Sequence, residues 1–182
     1  MPRDFWVKPH RLTILLAMLT AAAFVLLMGR PSFTNASKPP RFGDPTLALQ
    51  FARDVQDVDW ILGDAPSPDR EVMRVKQYVD FAFIACYAAL CAALGVEAAR
   101  KRGWRRAAGI TAAICGVSVA LFDILENRAI LKLLDVPLRS TTPAMIQAIR
   151  GPSSAKWILA GVTVVLLSVS FIRIPKTHES AN

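Results

Sequence analysis

Two acids and an amide stand at helical spacing near the end of an apolar run. Asp123, Glu126 and Asn127 occupy positions i, i+3 and i+4, so they lie on one face of a helix. Such groups can hold a cation, pass a proton or form hydrogen bonds between helices. An ionisable side chain at membrane depth is costly to place, and it is therefore a functional candidate by default.

A second helix supplies further polar groups at the same level. Asp80 opens the preceding apolar run, and Tyr87 follows two turns later on the same face. The two runs are joined by a short turn, so they are antiparallel, and Asp80 and Asp123 are predicted to lie at nearly the same height. The predicted polar pocket comprises Asp80, Tyr87, Asp123, Glu126, Asn127 and Arg128.

Three interpretations of this pocket remain open. In the first, the pocket is an ion-paired link between helices, and Arg128 or Lys132 compensates the charge of the acids. In the second, the pocket handles a proton, a lipid or another small ligand. The third is a divalent-cation site built from Asp80, Asp123 and Glu126, since hard cations take carboxylate oxygens. That site has no histidine and no recognised ligand spacing, so no metal and no cofactor is predicted.

Four apolar runs must position these groups. Fifty-three per cent of the 182 residues are hydrophobic, and the runs at 12–29, 81–99, 107–124 and 155–172 are 18 or 19 residues long. About 20 apolar residues cross a hydrocarbon core of about 30 Å. The sequence therefore predicts a single all-α membrane domain over residues 1–182, an integral four-helix bundle with spans at about 12–29, 78–99, 106–124 and 155–173.

Two amphipathic helices are predicted outside the spans, on the extracytoplasmic side. Asp44-Pro45 reads as a helix start, and apolar residues then recur at helical spacing up to Gly63, which predicts a helix over about 45–62. A second helix is predicted over about 143–150, where Gly151-Pro152 breaks it before the fourth span. Ser67-Pro68 predicts the start of the helix that carries the second span, and the Pro- and Ser-rich segment 30–43 reads as a linker.

The third apolar run has small residues at four-residue spacing. This pattern lets helix backbones approach closely in membranes. The predicted packing face comprises Ala108, Ala112, Gly116 and Ala120. One further turn reaches Asp123, which predicts that the acid points into a helix interface.

The net charge of +8 is concentrated in three segments. Basic residues occur before the first span, after the fourth, and in the turn between the second and third, whereas residues 30–79 carry equal numbers of acids and bases. Basic short loops mark the cytoplasmic side, which predicts cytoplasmic termini in a bacterial inner (plasma) membrane. The turn, Arg100, Lys101, Arg102, Arg105 and Arg106, is predicted to contact anionic lipid. No motif or interleaved aromatics suggest nucleic acid.

The residues around both acids resemble a known group. Asp80-Phe81-Ala82-Phe83 with Tyr87, followed one helix later by Asp123-Ile124-Leu125-Glu126-Asn127, is similar to small uncharacterised bacterial four-helix membrane proteins. These pair an acidic-aromatic entry to the second span with an Asp-x-x-Glu-Asn exit from the third. The resemblance covers about residues 47–134 and implies the architecture without implying an activity.

The leading functional hypothesis is a non-enzymatic accessory or scaffolding subunit of a membrane assembly. It expects the bilayer and other membrane subunits, or further copies of the chain, as partners. The sequence has no Ser/His/Asp set and no phosphate-binding loop. The alternative is a membrane enzyme or transporter that uses the carboxylates Asp80, Asp123 and Glu126 for a cation, a proton or a lipid-like ligand.

Overall fold

The computed structural model describes residues 9–29, 33 and 44–171. All regular structure in this part of the chain is helical, which confirms the all-α prediction. The α helices are α1 (Pro9–Met28), α2 (Pro45–Gln50), α3 (Val55–Leu62), α4 (Pro68–Ala99), α5 (Trp104–Leu134) and α6 (Pro143–Phe171), with a short 3-10 turn at Leu138–Ser140. The predicted linker at 30–43, apart from Phe33, and the terminal segments 1–8 and 172–182 lie outside the described residues.

Three helices are long and apolar enough to cross a membrane. They are α4, α5 and α6, whereas α1 contains the shorter apolar stretch Leu12–Leu26. The four helices lie side by side in the order α1, α4, α5, α6, because each makes its main contacts with its neighbour in this series. Thr13 on α1 donates a hydrogen bond to Glu97 on α4 at 2.6 Å, and the Phe24 and Phe83 rings lie 5.9 Å apart, so α1 runs antiparallel to α4.

The predicted single helix over 45–62 is wrong, because two helices occupy this segment. α2 ends at Gln50, and α3 begins after Asp54, whose side chain accepts a hydrogen bond from the Asp57 N–H at 2.9 Å. Aspartate is a favoured N-cap, and a new cap inside an amphipathic pattern restarts the helix. The predicted stop is confirmed, since Gly63 ends α3 at φ 67°, a conformation that favours glycine.

The predicted break at Gly151-Pro152 is also wrong, because α6 continues through Pro152 to Phe171. Proline removes one helical N–H, which weakens a helix without always ending it. The hydroxyls of Ser153 and Ser154 bond to the carbonyls of Ile149 and Arg150, at 2.8 and 2.9 Å. The predicted outer helix at 143–150 is thus the first part of the helix that carries the fourth predicted span.

Large apolar side chains form a core at one end of the molecule, which we call the cap. It contains α2, α3, the first turns of α4 and α6 and the last turns of α5. Its buried apolar residues are Ala48, Leu49, Ala52, Val58, Ile61, Leu62, Met73, Ile130, Leu133, Leu134, Ile146 and Ile149. The buried Arg70 also joins α4 to α5, since its guanidinium donates to the carbonyl oxygens of Leu133 and Val136 at 3.2 and 2.8 Å.

Small residues line α5 away from the cap, in a register that differs from the prediction. Ala112, Gly116 and Ala120 are buried, but Ala108 is partly exposed and Gly109 is buried instead. Three steps of four residues rotate the face of a helix by about 120°, so Ala108 cannot share a face with Ala120. The buried residues recur at spacings of three or four, and this stripe continues into Asp123 and Asn127.

Candidate functional site

The polar residues on α5 point towards two different helices. At about 100° per residue, Glu126 lies about 60° to one side of Asp123, and Asn127 lies about 40° to the other. α5 packs between α4 and α6, so this spread directs Asn127 to α4 and Glu126 to α6. Asp123 lies between them and reaches both neighbours. All three side chains are buried.

Asp123 joins three helices through its two carboxylate oxygens. Its Oδ2 accepts a hydrogen bond from the Tyr87 hydroxyl on α4 at 3.0 Å. Its Oδ1 accepts one from the Lys156 Nζ on α6 at 2.6 Å. The Tyr87 ring packs edge-on against Phe83 at 5.2 Å, which fixes the position of the hydroxyl.

The hydrogen-bond donors to Glu126 in the described part of the chain all come from α6. Lys156 Nζ lies 2.9 Å from Oε1 and 2.8 Å from Oε2, and the Ser153 hydroxyl lies 2.7 Å from Oε2. Ser153 and Lys156 are three residues apart, so both face α5. One ammonium group therefore serves two carboxylates, at a site where water has little access.

Asp80 and Asn127 form the remaining contact between α4 and α5. The Asn127 side-chain amide donates a hydrogen bond to Asp80 Oδ2 at 2.7 Å. Asp80 is partly buried, whereas Asn127 is buried. We call the whole group the polar cluster; its members are Asp80, Tyr87, Asp123, Glu126, Asn127, Ser153 and Lys156.

The structure brings together five of the six residues in the predicted pocket. The exception is Arg128, which is exposed, and the alternative counter-ion Lys132 is exposed too. The compensating cation is instead Lys156, which the sequence reasoning missed together with Ser153. A signal was available, because Lys156 is the one charged residue between positions 151 and 172. A lysine at the start of an apolar run is costly to place, as Asp123 is, and it is a functional candidate for the same reason.

The charges within the polar cluster do not balance. It contains three carboxyl groups, those of Asp80, Asp123 and Glu126, and a single ammonium group, that of Lys156. Burying unpaired charge is costly, and a buried ion is tolerated only with close partners. Within the described ranges, no three His, Cys, Asp or Glu side chains are arranged to hold a metal ion.

The predicted packing face and basic turn lie away from the cap. A side chain at Gly116 would meet Cys91 Sγ on α4 at 2.6 Å, and one at Gly109 would collide with Ala98, so the α4 and α5 backbones are in close contact. In the turn, Arg100, Arg102 and Arg106 are exposed, whereas Lys101 and Arg105 are half-buried. Burial lowers the pKa of Lys101, and the neighbouring Arg105 lowers it further.

Comparisons of the chain with protein-family models, curated proteins and solved structures find no match. The resemblance to small four-helix membrane proteins therefore stays a prediction.

Proposed function

We propose that the chain is a multi-pass integral membrane protein that serves as a non-enzymatic accessory or scaffolding subunit. In this proposal α1, α4, α5 and α6 all span the bilayer as a four-helix unit in a bacterial inner membrane. The cap lies outside, and both termini are cytoplasmic. The polar cluster holds the helices in register and does not act on a substrate.

The outward direction of large apolar side chains supports insertion in a bilayer. Ile114, Leu121 and Leu125 on α5 are exposed, as are Ile158 and Val165 on α6. Away from the cap, the buried positions of these helices carry small or polar residues. In water, exposing these large apolar side chains would cost free energy, whereas contact with lipid tails carries no such cost.

One observation supports a structural role for the polar cluster. Each of its three acids accepts at least one hydrogen bond from a different helix: Asp80 from α5, Asp123 from α4 and α6, and Glu126 from α6. Hydrogen bonds from neighbouring helices link those helices, and interhelical hydrogen bonds contribute to association within membranes.

The arrangement of the helices supports a role in assembly. Among the described elements, α1 makes its main contact with α4, and its exposed side chains include Leu15, Met18 and Leu26. Because the four helices form a row, both faces of the row are open to lipid or to another membrane subunit. This is the geometry expected of a chain that packs beside larger partners.

The charge imbalance favours a second candidate function. Three carboxyl groups share one ammonium group, and such a cluster can take up a proton or a cation. A membrane enzyme or transporter would use this excess of carboxylates. Acids at membrane depth commonly occur in proton relays.

Extraction of the protein with its native lipids, followed by mass measurement of the particle, separates the two functions. The scaffolding role predicts a particle that holds a second component at a fixed ratio. It also predicts that Asp123→Asn lowers the melting temperature more than Asp59→Asn, a matched change on the exposed surface of α3. Proteoliposomes that move protons or cations, with flux lost in a fully stable Asp123→Asn variant, would overturn it.

The orientation has its own test. In a cysteine-free background, single cysteines replace the exposed residues Arg102 and Thr142, which lie at opposite ends of the helices. A membrane-impermeant thiol reagent added to intact cells should label the cysteine at 142 alone. Labelling at 102 alone would place the cap in the cytoplasm and contradict the charge rule on which the proposal rests.

A further inference from the structure

The five basic residues between α4 and α5 divide into two groups with different surroundings. Lys101 and Arg105 turn towards the end of α6 and are half-buried. Arg100, Arg102 and Arg106 are exposed. The sequence alone does not distinguish the five residues, because all carry the same charge and lie in one short turn.

Lys101 and Arg105, which we call the inner pair, both contact the end of α6. We call Arg100, Arg102 and Arg106 the outer arginines. Lys101 Nζ and Arg105 Nε both donate to the Ser170 carbonyl oxygen, at 2.9 and 3.1 Å. Lys101 also lies 3.2 Å from the centroid of the Phe171 ring. The last carbonyls of a helix lack partners within the helix, and the negative end of its dipole favours cations. These two residues therefore fasten the end of α6 to the turn.

The outer three arginines have guanidinium groups available to a ligand, and they lie beside an exposed aromatic residue. Trp104 is 51% exposed at the start of α5. Tryptophan and arginine at the end of an apolar helix are typical of the headgroup layer. The planar guanidinium matches phosphate oxygens with two parallel hydrogen bonds.

We propose that Arg100, Arg102 and Arg106 form a binding surface for the phosphate groups of anionic lipid headgroups. Lys101 and Arg105 take no part in it. The inference rests on the proposed insertion in a membrane, and it narrows the predicted lipid contact from five residues to three. The charge of the surface, and its place at the ends of three apolar helices, match a negatively charged bilayer surface.

Binding of phosphatidylglycerol to the detergent-solubilised full-length protein, measured by native mass spectrometry against phosphatidylcholine, tests the proposal. Each basic residue near such a surface changes affinity by about fivefold, so the triple variant Arg100→Gln/Arg102→Gln/Arg106→Gln should bind phosphatidylglycerol on the order of 100-fold more weakly. Phosphatidylcholine binding should not change.

The chain offers a control matched in number and charge. Arg128, Lys132 and Arg139 are also exposed basic residues, but they lie at the cap end. Their triple substitution by Gln should leave phosphatidylglycerol binding within about twofold of the wild type. An equal loss in both triple variants would show that net charge alone attracts the lipid, and it would overturn the proposal.

Two further measurements address the division of roles and the source of the phosphate. Lys101→Met should lower the melting temperature and leave phosphatidylglycerol binding intact; a loss as large as in the outer triple variant would overturn the division. Inorganic phosphate at the lipid concentrations used should not displace phosphatidylglycerol, and displacement would assign the surface to free phosphate.

Resistance of the outer triple variant to alkaline extraction from membranes separates this inference from the proposed function. A variant that stays in the membrane fraction and loses phosphatidylglycerol binding supports the inference. If the wild-type protein itself is extracted, the proposed membrane insertion fails, and the inference fails with it. If both stay in the membrane and bind phosphatidylglycerol equally, only the inference is wrong.

Discussion

The two ends of α5 pack by opposite rules. Leu133 lies in the cap and is fully buried, whereas Leu121, three turns earlier on the same helix, is 60% exposed. In the cap, large apolar side chains fill the interior, as in a water-soluble protein. Towards the basic turn, Gly109, Ala112 and Gly116 fill the interior and the large side chains point outward.

Different forces stabilise the two regions. Removal of apolar surface from water stabilises the cap. In the proposed bilayer that force is absent between helices, and close backbone packing and hydrogen bonds must replace it. The polar cluster lies where these two regions meet on α5, between the small-residue stripe that ends at Ala120 and the cap residue Ile130.

The largest expected effect comes from breaking the polar cluster between the two regions. Lys156→Met removes the one ammonium group and leaves Asp123 and Glu126 buried without a counter-ion. Removal of one partner of a buried ion pair costs on the order of 3–5 kcal/mol. Chemical unfolding in detergent should show this loss.

Lys132→Met is the matched control, because Lys132 is exposed on α5. Adding Glu126→Gln to the Lys156 variant should restore part of the stability, since it removes one of the two stranded charges. Equal unfolding curves for the two lysine variants would mean that water solvates the polar cluster, and that it does not link the helices.

The next largest expected effect comes from a pair of leucine substitutions that compares the two ends of α5 directly. Leu133→Ala leaves a cavity in the cap and should cost about 2–5 kcal/mol. Leu121→Ala removes the same atoms from an exposed position and should change the free energy of unfolding by less than about 0.5 kcal/mol. The same unfolding assay measures both variants.

Similar losses in both leucine variants would show that a further helix or subunit covers Leu121. In that case large side chains in this region of α5 would not all point outward from the protein assembly.

Local signals in the sequence predicted most helix boundaries. Asp44, Ser67 and Gly63 act as the caps and stop that their residue types suggest, because these effects depend on a few neighbouring atoms. The two wrong boundaries, at Asp54 and Pro152, were choices between local signals of opposite sign. Asp54 caps a new helix with its side chain, whereas α6 continues past Pro152 with one helical N–H fewer.

The polar cluster could be predicted in part. Spacing on α4 and α5 places Asp80, Tyr87, Asp123, Glu126 and Asn127 near one another, since these helices are joined by a short turn. The identity of the counter-ion depends on how α6 rotates and slides against α5, which the sequence pattern of neither helix specifies. Arg128 was nearer in sequence, and Lys156 was nearer in space.

A substitution with a smaller expected effect tests the close packing of α4 and α5 away from the cap. Gly116→Ala places a methyl group 2.6 Å from Cys91 Sγ and 2.8 Å from its Cβ, so α4 and α5 must separate. Overpacking of this kind costs about 1–3 kcal/mol. Gly161→Ala on α6 is the control, because a side chain there meets nothing within 4 Å.

Melting temperatures in detergent should therefore fall for the Gly116 variant and stay equal or rise for the Gly161 variant, since alanine favours helix. A Gly116 variant as stable as the control would indicate that α4 and α5 are not in close contact, and that the small residues serve another purpose.

The smallest effect concerns the surface of the cap and its contact with water. Asp64 is exposed, and its Oδ1 accepts hydrogen bonds from the N–H groups of Leu138 and Ala65 at 2.7 and 2.8 Å, which joins the turn after α3 to the turn after α5. The Leu138 bond, followed by the Ala65 bond, lowers the pKa of Asp64 below its ordinary value of 3.8.

Because the folded-state pKa is the lower one, the stability from the Asp64 charge is present above pH 3.8 and is lost as pH falls through the folded-state pKa. The difference in melting temperature between wild type and Asp64→Asn should therefore shrink below about pH 4. It should also shrink at high salt, which screens exposed charges far more than buried ones. A difference that stays constant over this pH range would show that the Asp64 charge contributes nothing. The contrast between the cap and the rest of α5 would then rest on apolar burial and on other polar contacts of the cap, such as the Arg74–Asp135 ion pair.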